Sequence, residues 1–179
     1  MSDADLNAAL AGAVAGRYFG KYRGTVVSNS DSTNCGCLDV RVPAIFGDKT
    51  TITAKPCVPY AGPGVGFYAM PPERAGVWIE FEGGNLNYPI WVGCYWADGQ
   101  ISSADAQPSV KFLRTDKLSI RIDDDSGELI IEVQNGAKLT LSTTDLEAKA
   151  TTVTQSTDAT KTVLNSMQFD VNNGAFTVV

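Results

Sequence analysis

Apolar positions recur with two different periods along the chain. At the start, Leu6, Leu10, Ala13 and Val14 fall on one face of a helix. Ser2 would cap that helix, with Asp5 three residues on as a weak capping box, and Gly16 would end it. So short a helix is marginal in water, so it must pack either on its own domain or on another protein. From Gly20 to about Trp96 the period changes to two. TVV at Thr25 to Val27, LDVRVPAI at Leu38 to Ile45, GVWIEF at Gly76 to Phe81 and PIWVGCYW at Pro89 to Trp96 are β-branched and aromatic. Turn-forming clusters separate them: SNSDSTN at 28–34, AGPGVG at 61–66 and EGGNLN at 82–87. Roughly five strands in about 80 residues predict a small closed barrel, and an oligonucleotide/oligosaccharide-binding (OB) barrel has that strand count.

Residues 97–116 are polar and turn-prone, with Asp98, Gly99 and Pro108, and read as a linker. Beyond them Leu118, Ile120 and Ile122 alternate, as do Leu129, Ile131 and Val133, then Ala137, Leu139 and Leu141, with turns at DDDSGE and QNGAK. Leu146, Ala148 and Ala150 follow, then the Thr-rich stretch TTVTQSTDATKT, then Val163, Phe169, Val171, Phe176 and Val178. These are short strands in series with too few large apolar side chains to close a core of their own. A β-structure shared among several chains removes the shortage, because each chain then supplies one wall of a prism or helix. The expected division is a helical segment 1–19, a barrel 20–96, a linker 97–116 and a shared β-structure 117–179.

Composition narrows the chemistry. The 179 residues suit one domain, or one small domain with an appendage, and 44% hydrophobic content supports a packed core. Histidine is absent, which removes Ser-His-Asp and Cys-His catalysis and every histidine metal site. The net charge is −6, with seven basic and ten acidic residues in each of 1–110 and 111–179, so the field repels phosphate backbones. Lys21, Tyr22, Arg23 and Arg41 form the one local basic and aromatic cluster that a single-stranded nucleic acid would need. The longest apolar run, Ala8 to Gly16, is too short for a membrane helix, and its acidic flank is unlike a secretory signal, so no export or membrane segment is expected.

Four cysteines, Cys35, Cys37, Cys57 and Cys94, lack a CxxC pair and are expected as small buried thiols, the alternative being a four-thiolate zinc site. Glu80 and Glu82 stand two apart on a predicted strand, as a glycosidase pair on one face would. A pair on one strand cannot flank a bond from opposite sides, so a solvated strand face is the plainer reading. Asp123, Asp124 and Asp125 lack the spacing of a calcium loop and fit a hairpin turn.

GKYRGTVV from Gly20, LDVRVPAI from Leu38, AKPCVPYAGPGVGFYAMPP from Ala54, AGVWIEFEGG from Ala75 and NYPIWVGCYW from Asn87 resemble the OB domain of phage-tail spike proteins. The family is that of baseplate assembly protein V, which includes the spikes of contractile injection systems. The resemblance implies an all-β chain: a short N-terminal helix, an OB-type barrel, and a C-terminal intertwined trimeric β-helix or β-prism needle. It implies a homotrimer whose collar joins a baseplate hub protein at the tube end and whose needle pierces the target cell envelope. The particle would be a virion tail baseplate or an injection device, assembled in the bacterial cytoplasm. The expected trimer core is Leu118, Ile120, Ile122, Leu129, Ile131, Val133, Leu139, Leu141, Phe169 and Val171. Leu6, Leu10 and Val14 would meet the hub, and Phe176, Val178 and Val179 a separate small tip protein. No hub domain, inserted lysozyme-like domain or HxH apex motif is seen, and neither catalysis, cofactor nor nucleic acid is expected. The alternatives are an OB-fold protein binding single-stranded nucleic acid or carbohydrate, or a baseplate cell-wall hydrolase.

Overall fold

The computed structural model describes residues 3–179, which form two compact units, one reaching to Gln100 and the other spanning Ile101–Val179. The first opens with α1 (Asp3–Val14), whose first turn carries Asp3 and Asp5 where the helix dipole favours negative charge. Ser2, the expected cap, lies outside the described residues. Gly16 takes a left-handed φ of +70° just past the helix, as a C-terminal stop requires.

Strands β1 (Tyr22–Ser28) and β2 (Leu38–Arg41), helix α2 (Pro43–Phe46) and β3 (Ile52–Pro56) follow. After them come a hairpin of β4 (Ala61–Gly62) and β5 (Val65–Gly66), then β6 (Gly76–Phe81) and β7 (Pro89–Tyr95). Five of these strands close a barrel in the order β1-β2-β3-β7-β6, sealed by pairing of β1 with β6. Every pair is antiparallel except β3 with β7. This is the five-stranded architecture of an OB barrel. Alternation sends Val77, Ile79 and Phe81 of β6 inward, where they meet Val26, Leu38, Val40, Val42, Ala54 and Trp91. The buried Trp91 indole donates to the Gly36 carbonyl at 3.0 Å, so its one polar group is satisfied. Gly24 allows a close approach here, since a Cβ would stand 3.0 Å from Ile79 and 3.2 Å from the Arg41 carbonyl and would press both neighbours back.

Two features of the barrel depart from the sequence pattern. The run LDVRVPAI is a strand only to Arg41; Pro43, with no N–H to give, opens a helical turn that Gly47 ends at φ +74°. The fifth strand is β3, ITAKP, whose inward side is marked by only Ile52 and Ala54 and whose terminal proline hides its strand character.

The second unit has nine strands: β8 (Val110–Arg114), β9 (Leu118–Asp123), β10 (Glu128–Val133), β11 (Lys138–Leu141), β12 (Leu146–Lys149), β13 (Thr152–Ser156), β14 (Lys161–Asn165), β15 (Phe169–Val171) and β16 (Phe176–Val178). They make two antiparallel meanders, β12-β11-β10-β9-β8 and β13-β14-β15-β16. The expected linker 97–116 therefore contains a strand, β8, which lines the edge of the first meander and pairs along its length with β9. The Thr-rich run yields β13 because Thr is itself a good strand former. Asn172, Asn173 and Gly174 all adopt positive φ and turn β15 back into β16, as Asn-Gly sequences do in tight hairpins.

All three tryptophans, Trp78, Trp91 and Trp96, lie in the first unit, so intrinsic fluorescence reports on the barrel alone. Ile79→Ala is expected to destabilise the barrel by about 2–5 kcal/mol, measured as a lower guanidinium midpoint by tryptophan fluorescence. An unchanged midpoint would show that Ile79 does not anchor the core.

Candidate assembly surfaces

Directly opposed residues in a sheet share a face, so the register of the first meander sorts its side chains. Leu118, Ile120 and Ile122 of β9 oppose Val133, Ile131 and Leu129 of β10. Leu129 and Ile131 in turn oppose Leu141 and Leu139 of β11, which oppose Leu146 and Ala148 of β12. Leu113 of β8 opposes Ile120. One face of five strands is thus apolar almost throughout. It is also uncovered within the chain: Leu118 is 53% exposed, Ile120 39% and Leu146 70%. Among the described residues every buried hydrophobic side chain belongs to the first unit.

The opposite face carries the charged side chains, with Val110, Phe112 and Ile130 among them, and the chain lays its own 102–105 segment against part of it. Asp105 accepts hydrogen bonds from Arg114 at 2.8 Å and from Ser102 at 2.9 Å, and Arg121 stands 3.7 Å away. Its carboxyl is held below the usual aspartate range, first by the Arg114 guanidinium and then by the Ser102 hydroxyl. Arg121 also donates to Asp123 at 3.0 Å. The segment around Ser102–Asp105 is therefore clipped to the Arg114/Arg121 side of the sheet, which leaves the Leu/Ile side open.

The second meander repeats the arrangement on a smaller scale. Val153, Leu164, Phe169 and Val178 form one cross-strand row and Gln155, Thr162, Val171 and Phe176 the next, all on one face. Phe176 is 57% exposed and Val179 97%. The other face carries the buried Asp170, which accepts from the Gly174 amide at 2.6 Å and the Thr177 hydroxyl at 3.1 Å and so fixes the last hairpin.

At the barrel, the Tyr18 amide donates to the Gly84 carbonyl at 2.9 Å and Arg17 donates to the Gly83 carbonyl at 3.2 Å. Tyr18, Tyr22 and Phe46 ring Phe81, with centroids 6.4, 5.6 and 6.1 Å from it. The chain following α1 is thus pinned at the β6–β7 turn. The described side chains of α1 are exposed, including Leu6, Leu10 and Val14, so the helix does not pack on its own domain. At the other end, Tyr60, Val65, Phe67, Tyr68, Met70 and Trp91 line an aromatic groove of about 490 Å³. One wall is the 31–37 loop, organised by Asp31, which accepts from the amides of Thr33, Cys35, Gly36 and Cys37 at 2.8 to 3.0 Å. These bonds, with that from the Thr33 hydroxyl foremost, hold the Asp31 carboxyl far below its ordinary range.

The residues singled out for chemistry are occupied otherwise. Glu80 pairs with Lys21, while Glu82 starts the turn beyond β6, so the two carboxylates do not share a strand. Asp123 accepts from the Asp125 amide at 3.0 Å, as a hairpin turn requires, and Asp124 pairs with Lys111. Arg23 stacks over Trp78 and Tyr95, 5.3 and 5.0 Å from their centroids, and the Tyr22 hydroxyl donates to the Phe19 carbonyl. The expectation of buried thiols is corrected: Cys35, Cys57 and Cys94 are exposed and Cys37 half-buried. Cys35 and Cys37 sit in a loop, Cys57 just follows β3, and Cys94 comes after the shift in pairing within β7, so strand alternation does not carry them inward.

Residues 22–96 match the family described as the Type VI secretion system/phage-baseplate injector OB domain. That stretch contains the whole closed barrel. The match supports a structural role related to the baseplate or spike, and association with baseplate or tube components. No curated protein matches the chain.

Asp105→Asn is expected to free the 102–105 clip. Hydrogen exchange at the amides of Asp105 and Ala106, both bonded to the Ser102 carbonyl, should accelerate at neutral pH. Because the native carboxyl titrates below its ordinary range, the clip is whole above that range and loosens as pH falls through the lowered value. A carbon-13 titration of Asp105 with an ordinary midpoint would contradict this.

Proposed function

From a chain that carries, over residues 22–96, an OB domain of the Type VI secretion system/phage-baseplate injector family, we propose a homotrimeric central spike of a contractile tail or injection particle. The observation that carries this reading is the contrast between the two units. The barrel buries a core of its own, while 101–179 has regular sheets with open apolar faces and, among the described residues, no buried hydrophobic side chain. Leaving such a face in water forfeits about 25 cal/mol per Å² of apolar surface, and further copies of the same face would recover it. The number three comes from the family resemblance. Leu118, Ile120, Ile122, Leu129, Ile131, Val133, Leu139 and Leu141 of the first meander, with Phe169 and Val171 of the second, would then turn toward the common axis.

In this reading three barrels form a collar and the strands from β8 onward, reached through the segment 97–109, form the needle. The exposed Leu6, Leu10 and Val14 of α1 meet the baseplate hub at the tube end. Phe176, Val178 and Val179 receive a separate tip protein, and the assembly pierces the target envelope. It works as a mechanical part, with no catalytic group or cofactor. Paired strands suit that task, since the ladders of hydrogen bonds resist local opening under load.

Sedimentation equilibrium tests the assembly. The full chain is expected at three times its 19.0 kDa, and residues 1–100, which contain the complete barrel and its core, as a folded monomer. A monomeric full chain, or a barrel that trimerises as tightly alone, would overturn it. Phe176→Asp would set three carboxylates close together near the chain ends. It is expected to abolish retention of a small tip protein encoded beside this chain while leaving barrel fluorescence unchanged. Retention by the variant would sink the tip assignment.

A further inference from the structure

Within the two cross-strand rows of the second meander's open face, polar side chains stand at one level, beyond which the Thr157 and Thr160 hydroxyls meet at 2.9 Å where the hairpin turns. The first row, Val153, Leu164, Phe169 and Val178, contains no polar side chain, whereas the second row sets Gln155 against Thr162 before returning to Val171 and Phe176. The Thr162 hydroxyl donates to the Gln155 side-chain carbonyl at 3.4 Å, which leaves the Gln155 amide N–H groups pointing to no partner of that pair. A foreign apolar partner laid over this face would bury those donors unsatisfied, at a cost comparable to a lost hydrogen bond each. A second and third copy of this chain at the same level would meet them with a carboxamide oxygen, because each Gln carries both a donor and an acceptor. The face is therefore complementary to itself when the copies sit level. A slip by two residues toward the first row would set the amides against Val153 and Leu164 of the neighbours.

We infer that Gln155 and Thr162 form a polar layer that fixes the register, and with it the copy number, of the C-terminal assembly, the occupants of the face being two further copies of this chain. The inference rests on the homotrimeric reading above and adds to it the element that selects one alignment among several apolar ones. A single polar layer in an apolar interface is a known physical means of specifying alignment at some loss of stability.

The test uses the full chain and two variants. In Gln155→Glu, three carboxylates gathered near one axis must repel when ionised and share protons at low pH. Its trimer is expected to dissociate at a concentration at least about tenfold higher at pH 7.5 than at pH 4.5, with native chain nearly level between the two. In Gln155→Leu with Thr162→Val, the buried layer becomes apolar. That variant is expected to need more guanidinium to dissociate while losing its single alignment, read as more than one mass in native mass spectrometry or as doubled amide resonances for β13–β16. A native chain that is monomeric defeats the trimer itself. A trimeric native chain whose Gln155→Glu variant associates equally at both pH values, or whose apolar variant keeps one mass and one set of resonances, defeats the register layer and leaves the trimer standing.

Discussion

A sheet with one apolar face must cover that face, and the two units of this chain stand in opposite relation to that requirement. The barrel and the first meander each contain five strands. The barrel covers its inner face by curling until β1 meets β6. Its strands carry the irregularities that curling needs: a shift in register within β1 between Val26 and Ser28, and an extra residue, Val92, in β7 where Trp78 opposes Gly93 but Ile79 opposes Trp91. Gly24 gives the close approach at the crossing of β1 with Ile79. Bulges and glycines of this kind bend strands and close sheets. The meander β8–β12 pairs without a single shift along any of its four ladders. An unbroken ladder twists but does not close, so its Leu/Ile face stays open. Shape in the two halves follows from a few residues that interrupt pairing, more than from the count of strands or the apolar content.

The alternating runs were legible in the sequence for the same reason. GVWIEF becomes β6 with Val77, Ile79 and Phe81 inside, and the alternation of residues 118–122 and 129–133 appears as the paired rows of β9 and β10. What stayed hidden were elements whose pattern is set by something other than one buried face. In β8 the sequence VKFLR puts Val110 and Phe112 on one side and Leu113 on the other, so period two is blurred and the strand resembles linker. In β3 the exposed Lys55 and the terminal Pro56 mask a strand that depends on parallel pairing with a distant partner, β7. The thiols were misplaced because composition says how often cysteine is buried, while loops such as 31–37 are shaped by a single carboxylate, Asp31, gathering backbone amides. The carboxylate Asp105 acts likewise on Arg114, across nine residues of sequence that no periodicity connects.

Strand direction gives the barrel a polarity that bears on its proposed mechanical role. β1 starts beside the end of β6, since Tyr22 opposes Ile79, and β7 starts there too, since Pro89 opposes Phe81. The chain therefore enters the barrel at the end where Arg17 and Tyr18 bind Gly83 and Gly84, and leaves it along β7 at the opposite end, past Tyr95. In the spike reading, a push delivered at α1 reaches the barrel through Tyr18, the ring cluster around Phe81 and the β6–β7 turn. It then runs along β1, β6 and β7, of which β6 pairs with both others, so the load is parallel to the strands and spread over two ladders at once. Shear across several hydrogen bonds loads them together, whereas peeling at a strand end would break them in turn. The aromatic packing at Phe81 matters most in that path, because it is where a single short segment, Arg17 to Phe19, hands the force to three strands.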